Sequence, residues 1–111
     1  MLKVFDDNKV ELTRGDTARL SVTVTNDIDD TEYNIQNDDV LTLSIKKKVK
    51  DDEALVSKTI TGHNVFHIEP KDTSNLPFGT YKYDVQLTTA DGDVYTVITP
   101  SDFKIAEEVT T

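Results

Sequence analysis

Along this chain the apolar residues recur at every second position, in short runs broken by Gly, Pro, Asn and Asp. Successive side chains of an extended strand point to opposite faces, so each run describes a strand with one buried face and one wet face. Leu20, Val22 and Val24 alternate with Arg19, Ser21, Thr23 and Thr25. Leu41, Leu43 and Ile45 do the same in the strand expected from Val40 to Lys47, and Phe66 and Ile68 share a face between Val65 and Ile68. The longest run begins at Thr80, with Tyr81, Tyr83, Val85 and Leu87 on one side and Lys82, Asp84, Gln86 and Thr88 on the other. Val94 to Ile98 and Ser101 to Ala106 follow, the latter with Phe103 and Ile105 inward. No segment sustains a 3.6-residue apolar period, so no substantial helix is expected.

The residues between the runs set the connections. Leu2 to Phe5 and Lys9 to Leu12 read as two halves of one first strand, broken by Asp6-Asp7-Asn8. Arg14-Gly15-Asp16 is a turn. Asn26 to Asp39 is the longest polar segment, with six acidic residues and three Asn, and reads as a long loop carrying a short extra strand around Tyr33 to Ile35. Lys50 to Glu53 closes a hairpin into Ala54 to Ile60, and Gly62 turns the chain into Val65 to Ile68. Pro70 stops that strand, and Asp72 to Leu76 reads as a single helical turn or irregular crossover capped by Asp72 or Thr73. Asp91-Gly92 is the signature of a tight hairpin. Pro100 lacks a ladder donor and marks an edge position or a bulge, and Glu107 to Thr111 is a polar tail.

About seven to nine short strands at this spacing describe an all-β chain. Leu76-Pro77-Phe78-Gly79-Thr80-Tyr81 has the spacing of a tyrosine corner, with Tyr81 near the start of a late strand and Tyr83 where an antibody domain would place its second cysteine. The fold expected is an immunoglobulin-like antiparallel β-sandwich spanning residues 1–111 as a single domain.

Composition narrows the function more than the fold. The 111 residues are 36% hydrophobic and 7% aromatic with no Trp, enough for one thin two-layer core. Twelve basic against twenty-one acidic residues give a net charge of −9, which repels phosphate and argues against nucleic-acid partners and anionic membranes. The absence of Cys excludes disulfides, thiolate metal sites and a cysteine nucleophile. No apolar run approaches the roughly 20 residues of a membrane span. Met1 to Phe5 is followed at once by Asp6 and Asp7, unlike a secretory leader, so an intracellular product or one assembled into a particle inside the cell is expected.

Five groups of residues invite chemistry. Arg14-Gly15-Asp16 matches an integrin-binding tripeptide, but three residues recur by chance and a Gly-Asp turn launching a strand explains them. Asp27, Asp29, Asp30, Glu32, Asp38 and Asp39 crowd the long loop without the Gly hinge or the spacing of a calcium loop, so a solvated acidic loop is the reading. His63 and His67 have no third ligand at a defined spacing, and His67 alternates with Phe66 and Ile68, so it points to solvent. Lys46-Lys47-Lys48-Val49-Lys50, followed by Asp51-Asp52-Glu53, reads as a hairpin end with cross-strand charge pairs, with docking of an acidic partner as the sharper alternative. Tyr33 and Tyr95, the latter expected to face away from the neighbours of Val94, are the residues that would stack on a sugar. There is no nucleophile elbow and no Gly-rich phosphate loop. No catalytic, cofactor-binding or metal-binding residue is assigned, and enzymatic activity is not expected.

The order Leu12-Thr13-Arg14-Gly15-Asp16-Thr17, alternating strand, long polar loop, Leu41-Thr42-Leu43-Ser44-Ile45, Gly79-Thr80-Tyr81, Asp91-Gly92 and Phe103-Lys104-Ile105 resembles small structural proteins of tailed phages and prophages of Gram-positive bacteria. It is also similar to the N-terminal immunoglobulin-like domain of phage baseplate upper proteins, although those continue into a receptor-holding region not present in these residues. The likeness runs from about Val10 to Ile105 and rests on fold signatures rather than site residues. It implies a non-catalytic virion component of the tail, baseplate or capsid surface, assembled in the bacterial host cytoplasm. Its partners would be other virion proteins or copies of itself, docked by sheet edges or by the stretch Leu2 to Leu12. The alternative is a carbohydrate-binding or adhesion module, which two exposed tyrosines on one face would favour.

Overall fold

A computed structural model describes residues 2–4, 7–25 and 31–107. Asn26 to Asp30, with three of the loop's six acidic residues, therefore lie outside the described residues, as do Phe5, Asp6 and residues 108–111. The described residues are mostly β, with almost no helix. The order is β1 (Leu2–Val4), β2 (Val10–Thr13), β3 (Ala18–Ser21), β4 (Val24–Thr25), β5 (Glu32–Tyr33), β6 (Val40–Lys46), β7 (Val56–Thr61) and β8 (Val65–Ile68). A short helix α1 (Pro70–Thr73) then leads to β9 (Gly79–Thr88) and β10 (Val94–Ala106).

Six strands form one sheet in the order β1-β2-β10-β9-β6-β7. β3 and β8 form a second ladder, and β4 with β5 a third. The alternation read from the sequence is the alternation observed. Leu41, Leu43 and Ile45 of β6 and Tyr81, Tyr83, Val85 and Leu87 of β9 are buried together with Leu20 of β3, Val22 and Phe66 and Ile68 of β8. Each such side chain contributes about 1.5–3 kcal/mol on leaving water. Tyr83 meets Phe103 edge to face, with ring centroids 5.7 Å apart.

Three connections differ from the sequence reading. The first strand is not broken in line: β1 folds back antiparallel on β2, with Leu2 opposite Leu12 and Val4 opposite Val10. Between them Asn8 takes φ 68°, a left-handed conformation that Asn tolerates better than most residues. Nor is the sheet wholly antiparallel, since β2 runs parallel to β10, with Val10 opposite Phe103. The helical turn starts earlier than its polar residues implied. Pro70 occupies its first position, where a missing N–H costs nothing, and Asp72 is the capping partner rather than the cap, accepting the Glu69 N–H at 2.8 Å.

Pro100 lies within β10, flanked by register shifts against β9 between Thr96 and Ile98 and between Ile98 and Ser101. β10 meets β2 only from Phe103 onward, so its first half has β9 on one side and no strand on the other among the described residues. Pro100 thus occupies both a bulge and an unpaired edge, the two settings that spare it a ladder donor.

Candidate functional site

The unpaired half of β10 forms one wall of an open groove of about 900 Å³. Tyr95, Thr96, Val97 and Ile98 supply that wall, and the run from Leu20 to Thr25 supplies the other. Tyr83 and Leu87 line the groove as well, Asn8 contributes to it from the β1–β2 turn, and Tyr33 reaches it from β5. Among the described residues no charged side chain lines the groove, in a chain 30% charged. Its surface is methyls, aromatic rings and hydroxyls.

Tyr95 shows why the groove is open. It sits directly opposite Leu87 in the β9–β10 ladder, and paired residues share a face. Leu87 is 3% exposed and Tyr95 54%. Tyr95 is therefore on the core-facing side, away from the neighbours of Val94 as expected, and it stays exposed because no described residue covers that part of the core. Tyr33, from β5, lines the same groove. The two candidate sugar-stacking tyrosines are thus brought to one surface.

Hydrogen bonds fix the groove's surroundings. Tyr33 donates to Asp39 Oδ2 at 2.6 Å, and the Gln36 main chain donates to the same oxygen at 2.8 Å. The hydrogen bond to Asp39 is the main cause that holds the Tyr33 hydroxyl pKa above its ordinary value. Asp39, 3% exposed, also ties the loop to the Gly62 turn, where the Gly62 N–H donates to its carbonyl at 3.0 Å. One member of the acidic cluster is thus a structural anchor. Asp38 and Glu32 are exposed, and among the described residues no three His, Cys, Asp or Glu gather in a metal-holding group. Tyr83 donates to the Asn8 carbonyl, and its hydroxyl pKa is pushed up to about 12, first by burial and then by the charge of Asp7.

The remaining candidates lie away from the groove. Gly15 takes φ 81° and donates to Thr73 Oγ1 at 2.9 Å, and the Arg14 guanidinium stacks over Phe78 at 4.1 Å. The tripeptide is thereby tied to α1 and to the chain leading into β9, as the turn reading requires. His63 and His67 are both exposed. At the β6–β7 hairpin the Lys48 main-chain N–H donates to Asp51 at 3.0 Å, and Lys47 lies 4.6 Å from the centre of the Tyr81 ring. Among the described residues, turn and cation–π contacts rather than cross-strand ion pairs organise the basic run.

What the sequence reading missed is the groove. Its signal was present in Pro100, which marks where β10 leaves its neighbours, but its existence depends on which way the first strand turns. Comparison with models of known protein families finds no match, and neither do searches of curated proteins and of solved structures.

Proposed function

We propose that the chain is an immunoglobulin-like β-sandwich acting as a non-catalytic assembly or interaction module of a phage-type virus particle. The fold reading is supported by the Tyr81 hydroxyl, which donates to the Pro77 carbonyl four residues upstream at 2.7 Å, the geometry of a tyrosine corner. It is supported also by the order β10-β9-β6-β7 in one sheet and β3–β8 in the other ladder. The placement in a tail, baseplate or capsid surface comes from the sequence resemblance alone. Its partners are copies of itself or other virion proteins, and neither nucleic acid nor a membrane.

The observation that carries the docking role is the groove. An unpaired strand edge beside an uncharged, partly apolar wall is a template for an added strand, in which main-chain hydrogen bonds give affinity and alternate side chains give specificity. Repetition on a lattice lets weak contacts of this kind sum. Native mass by light scattering over a wide concentration range tests it: a defined oligomer is expected, and Tyr95→Arg, which puts a charge into the groove, should lower the mass. A strict monomer at every concentration would count against self-assembly.

The second reading, a module binding neutral carbohydrate, is favoured by the juxtaposition of Tyr33 and Tyr95 on a hydroxyl-rich, uncharged surface. Titration with neutral oligosaccharides, following shifts in tyrosine fluorescence, separates it from the first.

A further inference from the structure

We infer that β7, the outermost strand of the six-stranded sheet, is the seat of a second copy of this chain, paired antiparallel across a two-fold axis at Thr59. β9 and β6 separate it from β10 and the groove. The inference rests on reading the chain as a module that meets its own copies, and it names a second docking edge and its register.

An outer strand leaves a row of main-chain donors and acceptors without partners, and proteins blunt such edges with short strands, Pro, bulges or charges. β7 lacks these protections on its open side. Its six residues pair with β6 alone among the described residues, and the register holds from Val56 to Thr61 without a shift. The other strands with a wholly free edge among the described residues have only two to four residues. The free half of β10 carries Pro100 and register shifts. Lys58 is the one charged residue of β7, and it lies opposite buried Leu43, on the core-facing side. Its ammonium is held at 2.7 Å by Asp72 of α1. On the other face Ser57, Thr59 and Thr61 are exposed, with Thr42 and Ser44 of β6 opposite Thr59 and Ser57. This strip of hydroxyls carries no charge, so two chains of net charge −9 can meet along it without setting like charges against each other.

Hydrogen-bond parity fixes which main-chain groups face outward. The Gly62 N–H donates to the Asp39 carbonyl at 3.0 Å, one step beyond the Val40–Thr61 pair. Bonded pairs alternate along an antiparallel ladder, so Ile60, Lys58 and Val56 are the residues bonded to β6. The N–H and C=O groups of Ser57, Thr59 and Thr61 therefore point to the free edge. An antiparallel second β7 matches all of them at one register, with Thr59 opposite Thr59 of the partner subunit and Ser57 opposite Thr61 of the partner subunit. Each of these residues then donates to and accepts from its opposite number, and hydroxyl side chains meet hydroxyl side chains. Lys58 meets Ile60 of the partner subunit. Centring the axis on Lys58 instead would set two ammonium groups directly opposite each other, and centring it on Ile60 would carry Ser57 past the end of the partner strand. The favoured register joins two six-stranded sheets into one continuous sheet through a closed, self-complementary interface.

Charge placed at the axis tests the interface. Thr59→Lys sets like charges opposite each other and should raise the dissociation constant of the dimer several-fold, read by light scattering over a concentration series. Thr59→Glu should do the same, and an equal mixture of the two variants should restore association. Thr59 is exposed, so the circular dichroism spectrum of each variant should match wild type. The chain has no cysteine, so single Cys substitutions report the register. Under mild oxidation Ser57→Cys and Thr61→Cys should form a covalent dimer far more readily when mixed than when either is oxidised alone. An association weakened by Tyr95→Arg but unmoved by Thr59→Lys would overturn the inference and leave docking through the groove standing. Ser57→Cys bridging as readily alone as with Thr61→Cys would overturn the register on which the second copy is assigned. A wild type monomeric at every concentration would overturn both this edge and self-assembly through the groove.

Discussion

Removing one hydroxyl, Tyr83→Phe, separates two effects that the structure superposes. Tyr83 is 2% exposed and its hydroxyl donates to the Asn8 carbonyl. At pH 8 the substitution removes one hydrogen bond, worth about 1 kcal/mol net. The larger effect is at alkaline pH. The folded-state pKa is raised to about 12 from the ordinary 10.0. A group with a raised folded pKa contributes stability that is complete below its unfolded pKa and is lost as pH climbs through the folded one. At about 1.4 kcal/mol per unit, the contribution lost is about 2 kcal/mol by pH 11.5 and somewhat more beyond pH 12. Tyr33 and Tyr81 are raised as well, so the substituted protein keeps part of the slope. Urea unfolding followed by circular dichroism at pH 8 and pH 11.5 measures it. Wild type should lose about 2 kcal/mol more than Tyr83→Phe between those two pH values. Equal losses would show that this hydroxyl ionises as freely in the folded chain as in the unfolded one, and would refute the burial argument.

Other outcomes follow from single contacts. Asp39→Ala removes an acceptor shared by Tyr33 and the Gln36 main chain, and should cost about 2–4 kcal/mol in urea unfolding. The same substitution should bring the Tyr33 pKa back down towards its ordinary value, read by ultraviolet absorbance titration, because the Asp39 hydrogen bond is the main cause of its elevation. Gly62→Ala and Gly92→Ala both force alanine to positive φ, at 78° and 89°, but only at Gly62 would the new Cβ meet an atom, the Asn37 carbonyl oxygen at 3.1 Å. Gly92→Ala should cost about 1 kcal/mol and Gly62→Ala measurably more, compared by thermal unfolding. Tyr81→Phe, which deletes the hydrogen bond to Pro77, should cost about 1–1.5 kcal/mol while leaving the circular dichroism spectrum unchanged.

The parts of the molecule legible in the sequence are those set by alternation. The buried faces of β6, β8 and β9 follow residue by residue from the period of two, because a one-residue slip would expose every apolar side chain at once. The Asp91-Gly92 turn was legible for its own local reason, and Gly92 does take positive φ. The first strand was not. Leu2–Val4 folds back on Val10–Thr13 with Asn8 at positive φ, and Asn is compatible with that conformation and with an extended one, so the sequence allows either path. The groove inherits that ambiguity. Asp39 could not be told from its acidic neighbours, since only its position at the start of β6, near the Gly62 turn, makes it an anchor.

The parallel pairing of β2 with β10 has a consequence for how the chain comes to be folded. It joins Val10 to Phe103, residues far apart in the chain that are neighbours in the finished sheet. A ribosome delivers Val10 well before Phe103, and until then this pairing cannot form. Closing so long a loop is entropically costly, and folds dominated by such remote pairings fold slowly. The central strands can assemble first, but the sheet is completed only after Phe103 to Ala106 have emerged. A nascent chain stalled short of Phe103 would therefore present β9 with an open edge, the species most prone to pair with a neighbour on the same polysome.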